Sequence, residues 1–150
     1  MIRRPLARRR ARGFTLIESM VAMAVAGILG SVAWPSLEGH LQRARRADAL
    51  LGLLQTQLAQ ERYRVNNSRY GSLAEIGVPA TSPNGHYALV VESAGDGGFA
   101  IRAEATGRQA RDAACRVLRL TGSGAAPAYA SGATSAVANA ADVNRRCWNQ

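Results

Sequence analysis

The chain has no lysine, few aromatic residues, and little cysteine or histidine. All 19 of its basic residues are arginine. Aromatics make up only 5% of the sequence, so a core must rest on Ala, Val, Leu and Ile. Forty-seven per cent of the 150 residues are hydrophobic, which suffices for one modest core and excludes global disorder. The two histidines, His40 and His86, stand alone, without HExxH or paired metal-ligand spacing. GxGxxG, the P-loop and GxSxG are absent. Gly122-Ser123-Gly124 reads as a turn. Glu61 and Glu75 are isolated carboxylates, better read as solvated than as an acid/base pair. Asn66-Asn67-Ser68 fits a glycosylation sequon but reads as a chance match. No internal repeat is visible. A non-catalytic protein without cofactor or metal is expected.

Acidic residues are missing from the first 13 positions, where Arg3, Arg4, Arg8, Arg9, Arg10 and Arg12 cluster. The formal charge of +9 is therefore uneven. Without that segment, 13 basic residues face 10 acidic ones. A protein that coats nucleic acid would spread its basic residues over a folded face, so that class is disfavoured. Phe14 to Trp34 is an apolar run with one charge, Glu18. At 1.5 Å per residue it spans roughly 31 Å, about one bilayer core. A basic start before such a run is an inside-facing anchor. An ordinary secretory signal is cut after its apolar stretch. Here the small residue, Gly13, precedes it. A carboxylate in a membrane span is costly and marks a functional residue by default. Glu18 has no evident partner in its own helix, and a buried unpaired carboxylate is expensive. Snorkelling to the headgroups is the alternative.

Gly13-Phe14-Thr15-Leu16-Ile17-Glu18 resembles the class III signal of type IV pilins and pseudopilins. The resemblance implies that a prepilin peptidase cleaves between Gly13 and Phe14 and that Phe14 is N-methylated. It implies that Glu18 is the assembly glutamate, paired with a neighbouring subunit's N-terminal amine. Pro35 falls where the family usually carries a helix-kinking proline. Residues 1–13 would be a cleaved leader and 14–36 the transmembrane or filament-core half of a long helix. Residues 37–150 would be the globular head.

Beyond Pro35 the pattern stays helical to about Val65, making one helix of roughly 78 Å. Leu37, Leu41, Ala44, Leu51, Leu54 and Leu58 recur at helical steps, with Leu50 and Leu53 widening the stripe. This stripe is expected to lie on the head. Gln42, Arg43, Arg46, Gln57 and Gln60 populate the other face. Pro35, Gly27, Gly30 and Gly39 are the expected bends. The Arg43–Arg46 cluster fits a solvated face better than a phosphate site. Residues 66–84 read as a loop, with Tyr70, Leu73 and Ile76 anchoring a helical turn. His86–Glu92 and Phe99–Ala105 flank Gly95-Asp96-Gly97-Gly98 and read as a β-hairpin. Cys115–Thr121 alternates as a third strand, and Pro127–Ala133 carries a weak fourth. The fold expected is α+β. A long N-terminal helix has its apolar half projecting and its amphipathic half packed on a small antiparallel sheet of three to four strands at 85–121.

Cys115 and Cys147 are the only cysteines. The export topology places them in an oxidising compartment, where pairing is the default. Two free buried thiols or a metal site are the alternatives, and two cysteines without CxxC or nearby histidines make a poor zinc set. The arrangement resembles the disulfide-closed C-terminal D-region of type IV pilins, here 115–147. Tyr70-Gly71-Ser72-Leu73, Gly85-His86-Tyr87, Gln109, Asp112, Leu118, Leu120, Gly122 and Cys147-Trp148 resemble the PilE-type minor pilins. The resemblance implies a structural pilus subunit that supports assembly, twitching motility or adhesion. Its partners would be other pilins, the prepilin peptidase and the inner-membrane assembly machinery. It would sit in the inner membrane with a periplasmic head, then in an extracellular pilus. A type II secretion pseudopilin is one alternative. A DNA-uptake pilin is the other, using Arg102, Arg108, Arg111, Arg116, Arg119, Arg145 and Arg146 as a basic stripe. Their dispersal among acidic residues favours a mixed surface.

Overall fold

The computed structural model describes residues 13–124, 126–135 and 141–148. The expected leader therefore lies, apart from Gly13, outside the described residues. Contacts divide the chain into two units, Met1–Glu38 and Gly39–Gln150. One helix, α1 (Leu16–Asn67), passes through both. It stays helical through positions 27, 30, 35 and 39, so none of the expected bends is a melted turn. It ends two residues beyond the expected stop, at Ser68, whose φ of 55° breaks the helical run.

The second unit has the expected α+β architecture. After α1 come the short helix α2 (Leu73–Ile76) and strands β1 (Tyr87–Gly95) and β2 (Gly98–Ala105). Two 3-10 turns follow, Gly107–Arg111 and Ala113–Cys115. Then come β3 (Val117–Gly122), β4 (Ala128–Gly132) and α3 (Ala141–Cys147). The strands form one antiparallel meander in the order β1-β2-β3-β4. Alternation puts Tyr87, Leu89, Phe99, Ile101, Ala103, Leu118 and Leu120 on the buried face. Ala49 and Leu53 of α1 join them in one cluster. Phe99 meets Tyr70 edge-on at 4.7 Å between ring centroids. Gly122 makes room for that ring, since a Cβ there would come within 2.5 Å of it.

The orientation of α1 in the head departs from the expected one: Leu53 is buried and Leu50 half-buried, as the stripe requires, but Ala44 and most of its leucines face outward. Leu41, Leu51, Leu54 and Leu58 are exposed. The face packed on the sheet instead carries Arg46, Ala49, Leu53, Thr56 and Gln60. Its polar members are each satisfied. Thr56 Oγ1 donates to the Gly52 carbonyl at 2.7 Å. The Gln60 amide donates to the Gly71 carbonyl at 2.6 Å and accepts from the Gly71 N–H at 2.9 Å. Burying them therefore costs little, and the leucines are left outside.

Candidate assembly site

Gly13 and Phe14 precede the first turn of α1 and are exposed. Thr15 and Glu18 bond reciprocally. The Glu18 N–H donates to Thr15 Oγ1 at 3.3 Å, and the Thr15 N–H donates to Glu18 Oε2 at 3.5 Å. This is a capping box spaced T-x-x-E, which quiets two orphan N–H groups of the helix start. Glu18 is thus not without a partner in its own helix, contrary to expectation. The signal was present in the spacing of Thr15 and Glu18. The contact to the carboxylate is long and exposed, so it is weak. The side chains from 14 to 34 are exposed throughout. Among the described residues α1 is the one helix long and apolar enough to cross a membrane. Position 35 is helical and lies within the first unit.

In the head, Asp48 holds the loop that enters β1. It is 4% exposed. Its carboxylate accepts from Ser82 Oγ at 2.5 Å, from the Asn84 N–H at 2.9 Å and from the His86 N–H at 3.2 Å. Burial alone would raise its pKa, but these hydrogen bonds outweigh burial and hold it below the ordinary 3.8. A carboxylate depressed on folding stabilises the fold above its unfolded pKa, and that contribution fades as pH falls through the folded value. The urea midpoint should therefore drop steeply below about pH 4. Asp48→Asn should lose about 1–3 kcal/mol at pH 7 and show a shallower acid limb. Urea titrations from pH 7 to pH 2 read both. His86 serves here through its backbone, while His40 is exposed on α1.

The C-terminal segment is tied down by four separate devices. Cys115 and Cys147 form a disulfide with 5.4 Å between Cα atoms. Arg46 bonds Asp112 in a fork, Nε to Oδ2 at 2.6 Å and Nη2 to Oδ1 at 2.9 Å. Its Nη1 donates to the Arg146 carbonyl at 2.9 Å, beside Cys147. From α3 and its end, Asn144 Nδ2 donates to the Tyr129 carbonyl at 2.8 Å and Trp148 Nε1 to the Ala130 carbonyl at 3.3 Å. Both acceptors are backbone carbonyls of β4, so these two bonds join α3 and its end to the last strand of the sheet. Gln109 completes the cluster, donating to Tyr87 Oη at 3.0 Å and the Gln42 carbonyl at 3.1 Å. Burial pushes the Tyr87 phenol up to about 12, so it is neutral here.

Arginines of the expected stripe fall into two groups. Arg102 and Arg119 are engaged on the outer sheet face by Glu92, and Arg102 also by Glu104. A bulge at Glu92 aims its carboxylate between the two. Arg108 and Arg111 instead lie on the first 3-10 turn, Arg116 beside Cys115, and Arg145 and Arg146 on α3, which the disulfide ties to Cys115. Glu61 and Glu75 are engaged separately. Glu61 accepts from Tyr70 Oη at 3.2 Å. Glu75 is lowered to about 2 by Arg69 at 2.7 Å and by Ser72.

Known families coincide with this geometry. Residues 8–34 match the prokaryotic N-terminal methylation motif, across the Gly13–Phe14 junction and Glu18. Residues 35–119 match a family described as type IV minor pilin ComP, DNA uptake sequence receptor. The chain is 35% identical over 80 residues to the type II secretion system core protein G of Klebsiella pneumoniae, covering 50% of this chain and 57% of that protein. It is 33% identical over 90 residues to the type IV wide pilus major component PilA4 of Thermus thermophilus, covering 57% and 69%. Against the type IV major pilin PilE1 of Neisseria gonorrhoeae it is 32% identical over 84 residues, covering 54% and 51%. The matched part spans about half to two thirds of the length of these relatives. The chain belongs to the type IV pilin family.

Proposed function

We propose that the chain is a non-catalytic minor subunit of a type IV pilus. Its apolar run anchors it in the inner membrane, with the head periplasmic, before it enters an extracellular filament. Cleavage after Gly13 frees the amine of Phe14, which is then methylated. Glu18 exchanges its long, exposed bond from the Thr15 N–H for a neighbour's N-terminal ammonium, a contact in which donor and acceptor are both charged. Non-closing contacts of this kind propagate as a helical filament. The observation that carries the pilus over the secretion pseudopilus is the C-terminal segment closed by Cys115–Cys147. Glu18→Ala should leave membrane insertion intact and reduce the protein in sheared pili about tenfold, the effect of roughly 1.4 kcal/mol. Undiminished incorporation of the variant would refute the role. Normal pili but failed protein secretion in a deletion strain would favour the pseudopilus instead.

The basic group around the disulfide supports a second reading, that of a DNA-uptake pilin, in line with the family description that residues 35–119 match. Full-length protein in detergent should then bind duplex DNA with log affinity falling by about 0.9 per phosphate contact per decade of salt. Charge reversal at Arg108, Arg145 and Arg146 should abolish it. No binding at low salt would dismiss this reading.

A further inference from the structure

One guanidinium touches both ends of the C-terminal loop. Arg46, on α1, is almost wholly buried. Its Nε and Nη2 hold the carboxylate of Asp112, three residues before Cys115. Its Nη1 holds the carbonyl of Arg146, the residue before Cys147. The Cys115 N–H donates in turn to the Asp112 carbonyl at 3.1 Å. The turn that carries the first cysteine is therefore built on the residue that Arg46 grips. The second cysteine ends α3, a helix of 7 residues, too short to stand by itself in water. Other bonds of α3 and its end run to β4, from Asn144 to Tyr129, from Ser131 to Asn144 and from Trp148 to Ala130. They fix α3 to the sheet, whereas Arg46 fixes it to the turn of Cys115. None of these bonds needs the sulfurs to be joined.

We propose that Arg46 is the positioning residue for oxidation of the head. It presents Cys147 to Cys115, so that the bond closes within the chain rather than with a neighbouring chain's cysteine. The step needs a disulfide oxidant, of which oxidised glutathione is the simplest. One cysteine thiolate attacks it, and a glutathione thiolate leaves. The other cysteine thiolate attacks the mixed disulfide and expels the second glutathione. Both cysteines are oxidised, the glutathione disulfide is reduced, and the two thiol protons pass to the two glutathiones. The second attack is the selective one. A tie to both segments raises the effective concentration of one thiol at the other sulfur, against thiols of other chains. Asp112 and Arg146 lie 66 and 100 positions from Arg46, so the tie forms only when α1 has packed on the head. Helix docking comes first and the disulfide second. Nothing in this order depends on assembly into a filament.

The test starts from full-length protein in detergent, reduced and unfolded in urea, then diluted into buffer with oxidised glutathione. Samples are quenched in acid, labelled with a maleimide and weighed by mass spectrometry. Thiol, mixed-disulfide, closed and dimeric forms are then counted over time. Arg46→Met with Asp112→Leu replaces the buried pair by apolar groups and should keep much of the parent's Tm. It should nevertheless close about tenfold more slowly from the mixed disulfide and accumulate covalent dimer. Asp48→Asn weakens the head at the loop entering β1 and should close at close to the parent rate. Parent-rate closure in the double variant would overturn the proposal, leaving the sheet to bring the cysteines together. Equal slowing by Asp48→Asn would also overturn it, because the rate would then follow stability alone. Should the double variant fail to fold, Arg46→Lys decides. Its ammonium pairs with Asp112 but lacks the fork that also reaches Arg146. It should close more slowly than the parent, and an unchanged rate would again overturn the role.

Discussion

Asp112→Ala should cost the head about 3–5 kcal/mol, the largest loss expected from any single substitution outside the hydrophobic cluster. Arg46 and Asp112 are almost wholly buried, with side chains 7% and 4% exposed. Removing the carboxylate strands a guanidinium that is almost wholly shielded from water. Its Nη1 keeps the Arg146 carbonyl, but Nε and Nη2 lose their partner. Gln109 also loses one acceptor at 3.2 Å. The loss should appear as a fall in Tm of roughly 15 °C or more for a domain of this size. Two companion variants separate the causes. Asp112→Asn keeps an oxygen and the shape, so it should cost less. Arg46→Met with Asp112→Leu removes both charges and should recover much of the stability, because a buried pair roughly breaks even against apolar residues. Thermal unfolding of full-length protein in detergent, followed by the near-ultraviolet signal of the packed Tyr129 and Trp148, reads all three.

The pair that carries this expectation was hidden in the sequence. Helical periodicity alone placed Arg46 on the solvent side, with Gln60. Both faces of α1 repeat at three- and four-residue steps. One runs through Ala44, Leu51 and Leu58, the other through Arg46, Leu53 and Gln60. Hydrophobicity picks the first as the inward face, takes Leu53 of the second as its margin, and leaves Arg46 and Gln60 to solvent. The structure picks the second, because Asp112 lies 66 positions from Arg46 and Gly71 lies 11 from Gln60. Partners at that distance leave no local trace. Asp48, whose loop contacts lie 34 to 38 positions away, escaped notice for the same reason.

Local signals read better. The Gly95–Gly98 turn and the alternation in the first three strands are short-range chemistry. The capping box of α2 at Ser72 and Glu75 is equally local but escapes a reading of Glu75 as an isolated carboxylate. The third strand begins at Val117 rather than Cys115, because the cysteine is held in a 3-10 turn on its way to the disulfide. The weak fourth strand is real at Ala128–Gly132, and α3 was missed altogether. An Ala- and Ser-rich segment carries little hydrophobic pattern, and its order comes from Asn144, Trp148 and the disulfide instead. At the N-terminus, the hexapeptide and the apolar run were legible because their function depends on contiguous residues.

Replacing both cysteines with alanine should destabilise the head by about 3–4 kcal/mol, as expected for opening a loop of 32 positions in the chain-entropy model. The local consequence is more telling than the global one. Arg46 still holds the Arg146 carbonyl, and Asn144 still holds Tyr129. The segment should therefore remain docked in the double-alanine variant, though less tightly. Adding Asp112→Ala removes the anchor that fixes Arg46. Once either tie is gone, the segment the other tie was holding is already looser, so the two losses should not add. Their sum should exceed the measured loss of the triple variant by about 0.5–3 kcal/mol. Limited trypsin digestion supplies the local reading, since Arg145 and Arg146 are exposed on α3. Cleavage there should be slow in the parent, faster without the disulfide, and fastest in the triple variant. Additive free energies would mean that disulfide and ion pair hold separate parts of the head, and that Arg146 is not the hinge point between them. Coupled ones would make the four ties a single clasp over the edge of β4, with Arg46 reaching from the helix to its centre.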